Sequence, residues 1–316
     1  MNIIDLVRDK ASKLKRTIVL PRSSDERVIK AAEFLTDQEF CKVILIENDG
    51  MKAVSSKIET INTSSHANLD LYAKAFYEKR KHKGVTIDQA KKIVEDPLFF
   101  AASMVSEGDA DACVAGSVST TGDVLRAAIQ TIGLKPGSNV VSSIFLMSFE
   151  DGRVFTYGDC AVVPYPNSAQ LASIAVDSSA SHFKLTGKEP RTALLSFSTK
   201  GSAKHEKIDL VSEALELAKS KNPVLNIDGE LQFDAALVDS IGKRKAPDSK
   251  VAGNANVFIF PNLDAGNIGY KITERLAGAT ATGPIIQGLA KPMMDLSRGC
   301  SWEDIVNTSC VAALLS

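Results

Sequence analysis

The strongest constraint on the fold is an alternation of short β-type segments with helical segments along the 316-residue chain. The runs at 17–20 (TIVL), 42–46 (KVILI) and 111–115 (DACVA) are short and mostly apolar, which is typical of parallel strands that are buried on both faces. Segments with helical periodicity lie between such runs, and 206–219 is the clearest of them. This alternation predicts an α/β fold with mainly parallel sheets.

The length predicts two domains, since a domain usually has about 150 residues. Pro, Gly and Asn cluster near 134–142, which predicts a boundary there. Two β-type runs at 140–147 and 153–158 flank the Asp151-Gly152 pair, and this pattern predicts a hairpin.

Composition and charge exclude several classes of protein. Lys and Arg number 37 against 38 Asp and Glu, so the net charge of −1 argues against a general nucleic-acid binder. No apolar run reaches the roughly 18 residues of a membrane span, and the first sixteen residues read as an amphipathic helix without signal-peptide features. The five Cys and four His are scattered, which argues against a disulfide framework or a metal cluster. We expect a cytoplasmic protein.

Several well-known catalytic motifs do not occur in the sequence. No G-x-G-x-x-G follows a strand, and neither a P-loop nor a G-x-S-x-G nucleophile elbow occurs. These absences lower the odds of a dinucleotide-dependent dehydrogenase, an NTPase or an esterase.

The segment DACVAGSVSTTGDVLRAAIQ is a candidate anion site. Thr120 and Asp123 fit a helix cap, and the hydroxyls of Ser117, Ser119, Thr120 and Thr121 precede Arg126, which lies about one turn further on. Amides and hydroxyls at a helix start, with a nearby guanidinium, suit a bound phosphate. The alternative is a capped helix that carries a surface arginine.

The segment KPMMDLSRGCSWEDIV is a second candidate. It brings the Ser297 hydroxyl, the Arg298 guanidinium and the Asp304 carboxylate within reach of one helical turn. Such a trio suits acyl or phosphoryl chemistry as a carbonyl-polarising donor, a phosphate ligand and a base. Because Ser301 and Asp304 fit a capping box, the alternative is a purely structural Asp304.

Two further segments have both structural and functional interpretations. The basic run at 77–84, which contains Arg80, is either a solvated face or a phosphate contact. In NVFIFPNLDAGNIGYKITERL, Asn267 and Tyr270 either reach into a cleft or belong to a helix that starts after Gly266.

These segments closely resemble the phosphate acetyl/butyryltransferase family, and the resemblance covers nearly the whole chain. Four further stretches share it: TIVLPRSSDERVIKAA, DGELQFDAALV, KAPDSKVAG and GPIIQGLAKPMMDLSRGC. The resemblance implies two three-layer α/β domains with an interdomain cleft, similar to the isocitrate and isopropylmalate dehydrogenases. It also implies that the C-terminal segment completes the first domain. We therefore expect a first domain of 1–140 plus 294–316 and a second of 141–293.

The family resemblance implies an enzyme that interconverts acetyl-CoA plus phosphate with CoA plus acetyl phosphate, usually as a homodimer. By motif, Asp304 is similar to the catalytic base, Ser297 to the carbonyl-stabilising hydroxyl and Arg298 to the acyl-phosphate ligand. Arg80 and Arg126 match arginines implicated in binding CoA and phosphate. The remaining expected substrate contacts are Thr120, Thr121, Asn267 and Tyr270.

The implied reaction uses CoA as a substrate and needs no metal. An unperturbed Asp, with a pKa near 3.9, is a poor base toward a thiol with a pKa near 8.5. Asp304 would therefore need partial burial, or proton transfer concerted with thiol attack. Because CoA brings its own thiol, we expect direct transfer in a ternary complex without an acyl-enzyme on Cys300.

Three alternatives remain open at this point. One is the same chemistry on propionyl or butyryl groups, since one methylene changes binding by only about 1–3 kcal/mol. Another is a non-catalytic domain that senses acetyl-CoA, against which the joint presence of Ser297, Arg298 and Asp304 argues. The third is a metal- and nucleotide-dependent decarboxylating dehydrogenase, which rests on fold analogy alone.

Overall fold

The computed structural model describes residues 3–47 and 54–316. They form two compact units, a first unit of residues 4–47, 54–135 and 289–316 and a second unit of residue 3 with residues 136–288. The expected domain boundaries at 140 and 293 stay a prediction, and they lie five residues after the ends of these units at 135 and 288.

The described residues form eleven strands in two sheets. They are β1 (Thr17–Leu20), β2 (Lys42–Ile46), β3 (Glu59–Ile61), β4 (Ala112–Ala115), β5 (Ser142–Ser148), β6 (Val154–Gly158), β7 (Thr192–Leu195), β8 (Ile227–Leu231), β9 (Val257–Ile259), β10 (Thr280–Gln287) and β11 (Met293–Asp295).

Twelve α-helices connect or cover these strands within the described ranges. They are α1 (Ile3–Leu14), α2 (Glu26–Asp37), α3 (Leu69–Arg80), α4 (Ile87–Val94), α5 (Pro97–Glu107), α6 (Thr121–Ala127), α7 (Ser168–Thr186), α8 (Glu206–Lys221), α9 (Phe233–Leu237), α10 (Asp239–Lys245), α11 (Leu263–Ala277) and α12 (Trp302–Leu315). Over residues 3–47 and 54–316, no helix has both the length and the apolar character needed to cross a bilayer.

The sheet of the first unit has the strand order β11-β4-β1-β2-β3, and every neighbouring pair is parallel. The predicted strands at 17–20 and 42–46 are confirmed at the same residues, and the predicted strand at 111–115 begins one residue later. The three-residue strands β3 and β11 have too short a pattern to be seen in the sequence.

The C-terminal segment completes the sheet of the first unit. Met293, Met294 and Asp295 of β11 pair in parallel with Cys113, Val114 and Ala115 of β4. Helix α12 then packs on α2, with the Trp302 ring edge-on to that of Phe34 at a centroid distance of 5.2 Å. Because parallel strands end at the same edge of a sheet, the loops after β4 and β11 start side by side.

The sheet of the second unit has the order β10-β5-β6-β9-β7-β8, in which β5 alone runs against its neighbours. The predicted hairpin around Asp151-Gly152 is confirmed as the antiparallel pair β5–β6. Val257 and Ile259 of β9 pack into one hydrophobic cluster, whereas Phe258 packs into another. This period of two puts a core on each face of the sheet, so the predicted α/β class with mainly parallel sheets is confirmed.

Ser23 and Glu26 have the S-x-x-E spacing of a capping box, which predicts a helix that opens at Ser23. This prediction is wrong, because α2 is capped by Asp25. The Asp25 carboxylate accepts a hydrogen bond of 3.0 Å from the Arg27 amide and also binds the Arg27 guanidinium, whereas the Ser23 side chain is buried. In contrast, Asn167 and Gln170, whose spacing predicts a cap, form a reciprocal capping box at the start of α7, and the predicted pair Ser301 and Asp304 forms one at the start of α12.

Helix α11 starts at Leu263, whereas the sequence predicts a helix that starts after Gly266. A Cβ on Gly266 would overlap the backbone oxygen of Asp159, so the glycine lets the first turn of α11 lie directly on the chain that follows β6. The helix therefore includes the glycines instead of starting after them.

Candidate active site

Two loops meet where β4 and β11 end. Gly116 has φ +102°, and a Cβ there would overlap the backbone nitrogen and oxygen of Leu296. The Leu296 amide donates a hydrogen bond of 2.9 Å to the Ala115 carbonyl. Only glycine permits this approach at this backbone angle, so the loops at 116–120 and 296–301 are held against each other.

The loop at 296–301 presents two of the predicted site residues to solvent. The Ser297 hydroxyl accepts a hydrogen bond of 3.3 Å from the Gly299 amide, and the Ser297 carbonyl accepts one of 3.0 Å from Cys300. This turn leaves the side chains of Ser297 and Arg298 exposed, next to each other at the carboxyl edge of the sheet.

Asp304 lies in the first turn of α12, directly after this loop. Its Oδ2 atom accepts hydrogen bonds from the Ser301 amide, at 2.8 Å, and the Ser301 hydroxyl, at 3.0 Å. Both bonds fall on Oδ2, and the side chain is exposed. Asp304 thus caps the helix as the sequence predicts, while its role as a base stays a prediction.

Arg27 joins the two loops to the start of α2, and sequence analysis did not identify it. Its Nη1 atom donates to the carbonyl oxygens of Arg298 and Cys300, both at 2.8 Å, and Nη2 donates to the Ser117 carbonyl at 3.0 Å. Nη2 also pairs with Asp25 at 2.9 Å. The PRSSDER motif contains Arg27, but its loop partners lie up to 273 residues away, so no local signal identifies them.

The same cluster sets the protonation of its neighbours. Burial raises the pKa of Asp25, but the hydrogen bonds from Arg27 outweigh it and hold the pKa of that carboxyl below its usual value. Burial raises the pKa of the Cys300 thiol, and the nearby Arg27 charge only partly offsets this effect. Cys300 is therefore held as a thiol rather than as a reactive thiolate.

The loop after β4 leads into α6. Thr120 caps this seven-residue helix, since its hydroxyl accepts from the Asp123 amide at 3.2 Å and donates to Asp123 Oδ2 at 2.7 Å. Asp123 Oδ1 in turn pairs with Arg126 Nη1 at 3.0 Å. Thr120, Asp123 and Arg126 line a pocket of about 450 Å³ in the first unit, so the structure brings the predicted Thr120 and Arg126 together at one cavity.

The remaining predicted residues have different surroundings. Arg80 is the last residue of α3, and its Nε atom is buried without a hydrogen-bond partner. In the second unit, Asn267 donates from Nδ2 to the Cys160 carbonyl at 3.1 Å, and the Tyr270 ring stacks on Phe145 at a centroid distance of 4.1 Å. These contacts support the fold, and the substrate contacts of Asn267 and Tyr270 stay predictions.

Asp295 is a second residue of the site region that the sequence did not reveal. It ends β11, is 3% exposed, and its Oδ1 atom has no hydrogen-bond partner. Burial raises the pKa of this carboxyl to about 6, while a hydrogen bond from the Thr121 side chain opposes the shift. Asp295 is buried because β11 pairs with β4. The short apolar segment PMMDL does not by itself predict this pairing.

No group of three or more His, Cys, Asp or Glu side chains among residues 3–47 and 54–316 is arranged to hold a metal ion.

Residues 2–313 match the family described as phosphate acetyl/butaryl transferase. The chain belongs to this family.

Two relatives extend the match over the full length. The phosphate acetyltransferase of Thermoanaerobacterium thermosaccharolyticum is 47% identical over 325 aligned residues, which cover 99% of both chains. That of Acetivibrio thermocellus is 46% identical over 325 residues, covering 99% of this chain and 98% of the relative.

Two solved structures share the fold. The EutD phosphotransacetylase from Staphylococcus aureus superposes with a TM-score of 0.91 at 41% identity, and a phosphotransacetylase from Streptococcus pyogenes with 0.93 at 40%. In both cases the match covers 99% of this chain and 97% of the other.

Asp295 predicts a pH dependence of stability. Its pKa is about 6 in the folded protein, against about 3.9 in an unfolded chain. Between these pH values the Asp295 carboxyl binds its proton more tightly in the folded protein than in the unfolded chain. The free energy of unfolding therefore falls as the pH rises from about 4 to about 6. The cost of the buried charge is absent below this window and fully present above it.

We therefore expect Asp295→Asn, which carries no charge, to gain stability relative to the unsubstituted protein as the pH rises. The gain between pH 4.5 and 7.5 should be roughly 2 kcal/mol. Urea unfolding of both proteins at the two pH values measures it. A stability difference that is the same at both pH values would contradict a buried, proton-holding Asp295.

Proposed function

We propose that the protein interconverts acetyl-CoA plus phosphate with CoA plus acetyl phosphate. The observation that carries this proposal is the pair of adjoining loops in the first unit. One presents Ser297 and Arg298 to solvent directly before Asp304, and the other leads to Thr120 and Arg126. The names of the relatives at 46–47% identity support acetyl as the acyl group.

In the proposed reaction, the CoA sulfur attacks the carbonyl carbon of acetyl phosphate while the thiol proton passes to the Asp304 carboxylate. The Ser297 hydroxyl donates a hydrogen bond to the carbonyl oxygen as negative charge develops there, a contribution of about 10²–10³-fold. Arg298 binds the phosphoryl oxygens and stabilises the phosphate that leaves when the C–O bond breaks.

The exposure of Asp304 favours one of the two routes by which it could act as a base. The side chain is exposed, so the route that requires partial burial does not fit its position. The remaining route is proton transfer concerted with sulfur attack, in which the forming S–C bond makes the thiol proton more acidic. The capping bonds on Oδ2 fix the carboxylate and leave Oδ1 to take the proton.

Two observations support direct transfer over a covalent acyl-enzyme. Burial raises the pKa of Cys300, so the one thiol beside the loop residues Ser297 and Arg298 is a weak nucleophile. CoA supplies its own thiol, and a protein thiol would add a step without adding reactivity.

We assign binding of the phosphate groups of CoA to Arg80 and Arg126. The unpartnered Nε of Arg80 and the position of Arg126 on the 450 Å³ pocket support this assignment. Arg126 would exchange its exposed pair with Asp123 for a substrate phosphate, and an exposed pair of this kind is worth little. Thr120, Thr121, Asn267 and Tyr270 are proposed as further substrate contacts.

We propose that the protein acts in the cytoplasm as a homodimer, without a nucleic-acid or membrane partner. Helix α11 supports the pairing, because Ile268, Ile272 and Leu276 follow one another at intervals of four residues and are 57%, 52% and 83% exposed. A second copy of the same helix face would cover this apolar stripe.

The proposed function is tested by acyl-CoA formation from CoA and acetyl, propionyl or butyryl phosphate, with and without EDTA. We expect acetyl phosphate to give the highest kcat/KM, EDTA to have no effect, and initial rates at varied concentrations of both substrates to give intersecting double-reciprocal lines. Failure to form acyl-CoA from any of the three would contradict the function, and parallel lines would contradict direct transfer.

Replacement of Asp304 by Asn keeps the shape of the capping residue and removes the proton acceptor. We expect kcat to fall by at least about 10²-fold, with a change in Tm of no more than a few degrees. Glu303→Gln, at the neighbouring exposed carboxylate, is the matched control and should keep the original kcat. Full activity in the folded fraction of Asp304→Asn would contradict the role of Asp304 as the base and would show that it only caps the helix.

Replacement of Ile272 by Glu places a charge in the middle of the α11 stripe. We expect sedimentation equilibrium to show a dimer for the unsubstituted protein and a monomer for Ile272→Glu. Ile87→Glu, at a similarly exposed isoleucine of α4, should remain dimeric. A monomeric unsubstituted protein, or an Ile272→Glu dimer of unchanged stability, would rule out this interface.

A further inference from the structure

Arg22 and Ser119 line the same pocket of about 450 Å³ as Arg126. Arg22 follows β1, and Ser119 lies in the loop between β4 and α6, so two neighbouring strands deliver them to one cavity at the carboxyl edge of the sheet. Neither residue has a role in the reaction steps described above.

Both side chains hold a buried polar atom without a partner. Arg22 Nε and Ser119 Oγ are buried and make no hydrogen bond, and Ser119 is only 8% exposed. Buried polar atoms in native proteins nearly always have a partner, and an unsatisfied one costs about 1–3 kcal/mol. Two such atoms on one pocket indicate that their partner is a ligand.

The charges around the pocket leave Arg22 available for an anion. Asp123 Oδ1 is bound by Arg126 at 3.0 Å, and Asp123 Oδ2 by Thr120 at 2.7 Å. Asp96 caps α5, where its Oδ1 accepts from the Leu98 amide at 2.9 Å. Both carboxylates of the pocket are therefore engaged in bonds that do not involve Arg22.

We propose that Arg22 and Ser119 bind a phosphate group of the substrates in this pocket, beside Arg126. A guanidinium presents a fork of donors that matches phosphate oxygens, and a serine hydroxyl adds one further donor. Both side chains line the cavity in which the anion would bind. This inference rests on the proposed function, in which both substrates carry phosphate groups.

The test measures binding by titration calorimetry with CoA, dephospho-CoA, inorganic phosphate and acetyl phosphate. We expect Arg22→Gln to raise the Kd of at least one of these ligands about tenfold or more, and Ser119→Ala to raise the same Kd about threefold. Arg22→Lys keeps the charge but not the fork, and should fall between Arg22→Gln and the unsubstituted protein. Arg153→Gln, which removes an exposed arginine of the second unit, is the control and should bind normally.

The pattern across the ligands identifies which phosphate is bound. An effect on CoA but not on dephospho-CoA assigns the 3′-phosphate, and an equal effect on both assigns the diphosphate. An effect confined to inorganic and acetyl phosphate assigns the transferred phosphoryl group. Each of these outcomes supports the proposal.

Unchanged Kd values for all four ligands in a folded Arg22→Gln protein would overturn the proposal, with folding checked by an unchanged Tm. If the unsubstituted protein binds CoA and forms acetyl-CoA, these unchanged Kd values exclude Arg22 from the binding site and do not contradict the proposed function. If the unsubstituted protein neither binds CoA nor forms acetyl-CoA, the proposed function and this inference both fail.

Discussion

The arrangement of the candidate active site depends on the close approach of Gly116 to Leu296. The C-terminal strand β11 pairs with β4 although about 180 residues separate them. Because Gly116 has no side chain, the two segments that follow these strands stay in contact beyond the sheet. Arg27 then fixes the result, because one guanidinium binds carbonyl oxygens from both loops and the carboxylate of Asp25. Residues that are distant in sequence are thereby held together at the carboxyl edge of the first sheet.

At this edge of the sheet, some groups that stabilise the fold also take part in the proposed chemistry. Asp304 closes a capping box through Oδ2 and is held in a fixed orientation by it, which is the condition that a positioned base requires. Ser297 and Arg298 stay exposed because Arg27 holds the Arg298 backbone and leaves its side chain to the solvent. Cys300, in contrast, is turned inward, and its burial keeps it as a thiol.

Local sequence patterns predicted much of this architecture. The strands at 17–20 and 42–46 and the capping pairs of α7 and α12 follow from apolar runs and from residues three apart, which act over a few residues of chain. Contacts between distant segments could not be read in this way. The loop partners of Arg27, the burial of Asp295 and the pairing of β11 arise only when the chain returns to its first sheet, and the start of α11 depends on the packing of Gly266 against Asp159.

The most direct test of this account is the stability and activity of Gly116→Ala, compared with Gly133→Ala. Both glycines have positive φ, +102° and +86°, but only Gly116 faces backbone atoms within reach of a Cβ. Gly133 also has ψ 177°, in a region that is essentially restricted to glycine, so backbone strain alone should cost Gly133→Ala about 1–3 kcal/mol. We expect Gly116→Ala to lose about 3 kcal/mol or more in urea unfolding, and to lose kcat in the fraction that folds, because the added methyl pushes the two loops apart. A Gly116→Ala protein as stable and as active as Gly133→Ala would contradict the central role of this contact.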